Sequence, residues 1–118
     1  MRKLFWTLAV AGAFLGAGTL AQSQTAHAAI GIVASNWKFT PSSITVHAGQ
    51  EVVLHLTSTE GVHGLQSDEL GIPMTAITPG STKTVEFTPK KTGKYVLHCA
   101  IMCGAGHPNM TLTINVVP

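Results

Sequence analysis

The chain has few charged side chains. Its 118 residues include seven Lys or Arg and five Asp or Glu. Two of the basic residues, Arg2 and Lys3, precede a long apolar run, and after residue 28 five lysines face five acids. The net charge of that part is zero with neutral histidines, which argues against nucleic acid or another polyanion as a partner.

The sequence also lacks the common catalytic patterns. No paired carboxylates accompany its two cysteines, no glycine pattern is suited to cradling phosphates, and no serine has an evident histidine partner. Internal repeats, low-complexity tracts and long helical periods are absent as well. We therefore expect a chain without enzymatic activity of its own.

The first 28 residues have the layout of a secretory signal peptide. Two basic residues precede an apolar run over residues 4–21, and residues 26–28 form an A-x-A cleavage site. A short uncleaved membrane anchor is the alternative, because about 18 apolar residues lie at the lower limit for a span. We expect export to the periplasm or the extracytoplasmic face of the membrane, with membrane contact only if the segment is uncleaved. The remaining residues, 29–118, form one predicted domain.

After residue 28 the pattern is that of short β-strands. Apolar and polar residues alternate over residues 44–47, 52–57 and 84–88, which is typical of half-buried strands. Two more strands are predicted over residues 94–99 and 110–117. Six or so strands separated by Gly and Pro turns indicate an antiparallel sandwich or barrel.

Strand phase separates inward from outward residues near the end of the chain. It places Cys99 on the inner face of its strand and His98 on the outer face. Met110 starts the next strand on the core side. The intervening segment, within HCAIMCGAGHPNM, adds Cys103 and His107. Four metal-binding side chains are thus predicted at one end of the sandwich.

The other histidines divide by the same criterion. His63, in the stretch GVHGLQ, is a further inward-facing donor candidate. His47 and His55, like His98, fall on the polar phase of their strands and are predicted at the surface. Trp37 and Phe39 are expected to pack in the sandwich.

Thiols, imidazoles and a thioether form a soft donor set. Such a set suits copper, whereas hard cations need oxygen donors that this segment lacks. Zinc competes for Cys and His but has little use for methionine. A single blue-copper ion would use only one cysteine. In an exported chain, a disulfide between Cys99 and Cys103 is a further alternative.

With the upstream V-H-G, the motif C-x-x-x-C-G-x-x-H-x-x-M resembles the binuclear copper A domain of cytochrome c oxidase subunit II, also found in nitrous oxide reductase. The resemblance extends from Asn36 to Val117. It implies an all-β, cupredoxin-like Greek-key sandwich or barrel. It also implies one-electron transfer, with cytochrome c or another redox protein, such as a membrane oxidase, as the partner.

The resemblance further implies six ligands for two copper ions: His63, Cys99, Ile101, Cys103, His107 and Met110. Both cysteine sulfurs would bridge the two ions. His63 and Met110 would complete one ion, and His107 with the main-chain carbonyl of Ile101 would complete the other. Relatives often carry Glu or Gln where this chain has Ile101, and a typical subunit II has one or two transmembrane helices. The chain therefore looks like a free-standing or minimally anchored copper A domain.

Two other functions remain open from the residues alone. A copper-delivery protein would use the same ligands transiently. A structural or adhesion sandwich would use Cys99 and Cys103 only as a disulfide.

Overall fold

The computed structural model describes residues 27–118 and, before them, only Gly12, Gly16 and Gly18. Nearly all of the predicted signal peptide or anchor, residues 1–28, therefore lies outside the described residues. Within the described part of the chain, no helix has the length and apolar character needed to cross a bilayer.

Residues 27–118 form an all-β domain, as predicted. Its strands are β1 Ala28–Ser35, β2 Lys38–Thr40, β3 Ser43–His47, β4 Val52–Ser58, β5 His63–Ser67, β6 Ile72–Ile77, β7 Lys83–Phe87, β8 Gly93–His98 and β9 Thr111–Val117. A short 3-10 turn, His107–Asn109, precedes β9. The short alternating segments of the sequence thus form strands, in agreement with the predicted fold class.

The strands form two main sheets and a separate hairpin. One sheet has the order β2-β1-β4-β7, the other has the order β3-β9-β8, and β5 pairs with β6. β1 and β4 are parallel, and so are β3 and β9. The prediction of purely antiparallel pairing is wrong for these two ladders. Short connections favour hairpins locally, but here the chain crosses between sheets, and a strand's neighbour is then distant in sequence.

Four of these strands, β1, β2, β5 and β6, are not identified by the alternation of the sequence. β2 has only three residues, too few to show a period. β1 contains Ala and Gly at several positions, so its apolar phase is weak. β5 buries three consecutive residues, and β6 contains a proline and leaves most of its residues at least partly exposed. A two-residue period is visible only where one face is apolar and the other is polar.

Alternate residues of β4 and β9 fill the core. The buried members are Val52, Leu54, Leu56, Leu112, Ile114 and Val116. Both strands lie inside their sheets, so their inner faces meet apolar neighbours on either side. The phase predicted for Met110 continues this pattern, since Met110 is buried directly before β9.

A matched pair of valine substitutions tests this core. Val52 is fully buried in β4, whereas Val96 on β8 is 49% exposed. Val52→Ala should lower the free energy of unfolding by about 2 kcal/mol, because it removes buried methyl groups and leaves a cavity. Val96→Ala should cost less than about 1 kcal/mol. Urea unfolding of the metal-free protein measures both, and equal losses would contradict this packing.

Candidate metal centre

The centre is built on the loop between β8 and β9. The amide N–H of Cys99 donates to the carbonyl of Met110 at 2.9 Å, which closes the loop at its base. This bond continues the antiparallel ladder, whose last pair is His98 with Thr111. Both Cys99 and Met110 are buried and His98 is exposed, as strand phase predicts. The ladder therefore brings a thiol and a thioether to the same end of the core.

His63 enters the centre from the other side, at the start of β5. Its ring is fully buried. Nε2 lies 2.8 Å from the carbonyl oxygen of Glu60, and Nδ1 lies 3.9 Å from Cys99 Sγ. Because a carbonyl only accepts, Nε2 carries the proton and Nδ1 presents its lone pair to the thiol. The hydrogen bond thus selects the tautomer that a metal ligand requires.

Cys103 lies between two other side-chain donors, those of His107 and Met110. Its Sγ lies 3.5 Å from His107 Nδ1 and 3.8 Å from Met110 Sδ. The 3-10 turn His107–Asn109 sets the position of the imidazole, and its backbone bonds bring the chain back towards β9. Cys103 and His107 are both partly buried, so the centre extends from the core towards the surface.

Ile101 contributes its main chain. The Cys99 thiol donates to the carbonyl oxygen of Ile101 at 3.2 Å. The side chain of Ile101 packs on Gly64, where an added Cβ would lie 2.8 Å from Ile101 Cγ1. The amide of Ala100 donates to the Gly64 carbonyl at 2.9 Å, which links the loop to β5. The absence of a side chain at Gly64 thus permits the close approach that directs the Ile101 carbonyl inwards.

All six predicted ligand residues come together at this end of the sandwich: His63, Cys99, Ile101, Cys103, His107 and Met110. The donor atoms of His63, Cys99 and Cys103 lie within 4.8 Å of one another, so these three residues could hold a metal ion. His107 adjoins Cys103 but does not belong to this mutually close group. The two imidazoles therefore stand beside different thiols.

The spacing of the donors fits metal coordination. Nitrogen and sulfur ligands at about 2.0 and 2.3 Å from a tetrahedral ion lie roughly 3.3–3.8 Å apart. The thiol of Cys103 is 3.5 Å from one imidazole and 3.8 Å from the thioether, and Cys99 is 3.9 Å from the other imidazole. Such pairs can share an ion with little movement of the backbone.

Both cysteines are free thiols in this structure. Neither cysteine forms a disulfide, so this structure does not contain the alternative Cys99–Cys103 bridge. Burial, together with the hydrogen bond and the charge of Cys99, raises the pKa of the Cys103 thiol from its ordinary value of 9.0 to about 11. Two thiolates side by side repel each other, and a cation removes that repulsion.

Three other histidines lie at the surface. His47, His55 and His98 are exposed, which confirms their predicted surface positions. Phe39 is buried as expected, but the expectation that Trp37 packs inside is wrong. Trp37 is 41% exposed, and its indole N–H donates to the carbonyl of Cys103 at 2.9 Å.

Two supporting features escaped sequence reasoning. Glu60 accepts the His63 hydrogen bond through its main chain, which no side-chain motif reveals. Trp37 contacts Cys103, in the loop between β8 and β9, although the two residues are 66 positions apart in the sequence. The spacing of Gly104 and Gly106 was the available signal, since paired glycines often allow a bulky group to approach the backbone.

Comparisons with known proteins agree with this architecture. The family profile described as "Cupredoxin-like domain" matches residues 5–114. Cytochrome c oxidase subunit 2 of Thermus thermophilus is 35% identical over 85 residues, a match that covers 72% of this chain and 62% of that protein. The chain thus spans less than two thirds of the length of this relative.

Solved structures with a similar fold include domains of terminal oxidases. The periplasmic domain of cytochrome oxidase subunit II (CoxB) of Bradyrhizobium japonicum superposes with a TM-score of 0.69 at 18% identity, covering 76% of this chain and 83% of that one. A chain of a heme-copper terminal oxidase dimer superposes with a TM-score of 0.67 at 28% identity, covering 73% and 60%. The chain therefore belongs to the cupredoxin-like family and is similar, within it, to the subunit II domain of cytochrome c oxidases.

Proposed function

We propose that this protein is a one-electron carrier with a binuclear copper A centre. The proposed ligands are His63, Cys99, Cys103, His107, Met110 and the carbonyl of Ile101. The protein exchanges electrons with cytochrome c or with another redox protein such as a membrane oxidase. It works in the periplasm or at the extracytoplasmic face of the membrane.

The observation that carries this proposal is the division of the imidazoles between two neighbouring thiols. His63 adjoins Cys99, and His107 adjoins Cys103. A tetrahedral site for one ion needs all four donors mutually close, but His107 stands outside the close group. Two ions that share both thiolates need only one imidazole each. The arrangement therefore favours two ions over one.

The chemistry of the donors favours copper. Met110 is fully buried with its thioether 3.8 Å from Cys103 Sγ, so a soft, weak ligand faces the centre. Thiolate and thioether together select copper, whereas zinc sites rarely use methionine. The similarity to subunit 2 of Thermus thermophilus cytochrome c oxidase supports the same choice.

A carrier fits the centre better than an enzyme does. Copper ions bound here would supply one-electron exchange, and the six protein donors would leave no coordination position for a substrate, which catalytic metal sites require. Cys99 and Met110 are held by the β8–β9 ladder, and His63 by its carbonyl partner. Ligands fixed in this way move little when the charge changes, which favours rapid electron transfer.

Electron paramagnetic resonance tests the two-ion centre. The protein with reduced thiols, loaded with equal amounts of Cu(I) and Cu(II) and freed of unbound metal, should give a hyperfine pattern from one unpaired electron shared by two equivalent copper nuclei. Cys99→Ser and Cys103→Ser should each abolish this pattern, because each removes a sulfur that would hold both ions. His98→Ala, an exposed neighbour of Cys99, is the control and should retain it. A one-copper pattern in the unsubstituted protein would reject the proposal.

Alkylation of Cys103 should depend on both pH and copper. Because the pKa of this thiol is raised to about 11, the rate with iodoacetamide in the metal-free protein should rise about tenfold per pH unit and level off only near that pH. The urea-unfolded protein should level off near the ordinary value of 9.0. Copper should suppress the reaction. Tandem mass spectrometry distinguishes Cys103 from Cys99, and alkylation that copper leaves unchanged would show that Cys103 is not a ligand.

An electron carrier and a copper-delivery protein differ in how fast they exchange electrons and release copper. A carrier should accept an electron from reduced cytochrome c within the mixing time of a stopped-flow instrument or shortly after, and should retain its copper against a competing chelator. Both follow from donors that are buried or partly buried and are held by the β8–β9 ladder and by hydrogen bonds. Rapid loss of copper to the chelator together with slow electron exchange would instead establish copper delivery.

A further inference from the structure

The turn between β1 and β2 contacts both segments that supply the proposed ligands. This turn, residues 36–37 and hereafter the 36–37 turn, contains no ligand of its own. Trp37 lies against the loop that follows Cys103, and Asn36 lies against the segment that precedes His63. The turn thus links the segment of Cys103 to the segment of His63 without contacting a side-chain donor atom of either residue.

Trp37 makes the first of these contacts. Its indole N–H donates to the carbonyl of Cys103 at 2.9 Å. A Cβ placed on Gly104 would lie 3.0 Å from Trp37 Nε1, and one placed on Gly106 would lie 2.4 Å from Trp37 Cγ. Gly106 has an ordinary φ of −86°, so the backbone itself would accept any residue there. The space that the indole occupies is what excludes a side chain at Gly106.

Asn36 makes the second contact. Its backbone N–H donates to the side-chain Oε1 of Glu60 at 3.1 Å. A Cβ on Gly61 would lie 2.7 Å from Asn36 Oδ1, so this side chain also packs closely on the segment. The carbonyl of Glu60 holds His63 Nε2 at 2.8 Å. The turn therefore contacts the residue that orients the buried imidazole.

We propose that the 36–37 turn is a positioning element that sets the separation of Cys103 from His63. The proposal rests on the proposed function, because it takes both residues as ligands. Trp37 acts through the Cys103 carbonyl, and Asn36 acts through Glu60. Groups of this kind, one step removed from a metal, change affinity by about 10- to 100-fold when they are lost. Without these contacts, neither the β8–β9 loop nor the segment before His63 is held by the turn.

Four substitutions separate the contacts. Trp37→Phe keeps an aromatic ring over the loop but removes the N–H donor. Gly106→Ala displaces the ring from the opposite side without straining the backbone. Glu60→Ala removes the acceptor of the Asn36 amide, and Glu60→Gln restores an oxygen at that place.

Two controls accompany these variants. Gly31→Ala is matched to Gly106→Ala, because a Cβ at Gly31 meets no atom within 4 Å. Lys38→Ala changes an exposed residue beside the turn. Thermal unfolding confirms that each variant folds before it is compared.

The first measurement uses the metal-free protein and amide hydrogen exchange by NMR. The amides of His107, Asn109 and Met110 are bonded within the loop. Trp37→Phe and Gly106→Ala should raise their exchange rates about tenfold, because the loop loses its outer support. The controls should leave these rates unchanged. Unaltered exchange in both variants would overturn the positioning role of Trp37, whatever metal the protein binds.

The second measurement uses the copper-loaded protein. Trp37→Phe, Gly106→Ala and Glu60→Ala should each release copper to a chelator about tenfold faster and should shift the copper hyperfine splitting. Glu60→Gln should restore both values. A spectrum and a release rate equal to those of the unsubstituted protein in all three variants would overturn the proposal.

The two measurements separate this inference from the proposed function. If the unsubstituted protein binds one copper ion or none, the binuclear carrier is rejected. The exchange rates of the metal-free variants still decide whether the turn supports the loop. If copper binds as a pair and the variants change neither exchange nor release, only the inference about the turn fails.

Discussion

The centre depends on one backbone hydrogen bond, from the Cys99 amide to the Met110 carbonyl. It extends the β8–β9 ladder by one step and turns the intervening residues into a closed loop. Because Cys99 and Met110 flank that bond, a thiol and a thioether enter the core side by side. The β8–β9 ladder that stabilises the sandwich thus also holds these two donor side chains in place.

Burial of polar donors imposes the second constraint. An imidazole inside an apolar core needs partners for its ring nitrogens, because an unsatisfied polar atom there costs about 1–3 kcal/mol. His63 meets this demand with the Glu60 carbonyl on one nitrogen and the Cys99 thiol beside the other. No buried side-chain nitrogen or oxygen among the described residues lacks a partner. The hydrogen bond from Nε2 to the Glu60 carbonyl is thus also the one that directs Nδ1 towards the thiols.

Local pattern predicts whatever depends on local geometry. Side chains alternate across a strand with a period of two, so the phase of residues 94–99 was enough to place Cys99 inside and His98 outside. The same argument placed Met110. Phase says nothing about Trp37, whose turn lies outside any regular strand and whose expected burial was wrong. It also says nothing about pairing direction, and β1 with β4 and β3 with β9 are parallel. Those pairings join segments whose order in the sheet differs from their order in the sequence.

The sequence by itself determined the strands with clear alternation, the inward phase of Cys99 and Met110, and the chemical character of the donor set. Only the tertiary structure decided which donors meet. His63 and Cys99 are 36 residues apart, and Trp37 and Cys103 are 66 apart, and no local period relates such positions. Their contacts exist because the two sheets and the β5–β6 hairpin bring distant loops to one end of the sandwich. The direction of the Ile101 carbonyl was decided in the same way, by packing against Gly64 rather than by side-chain chemistry.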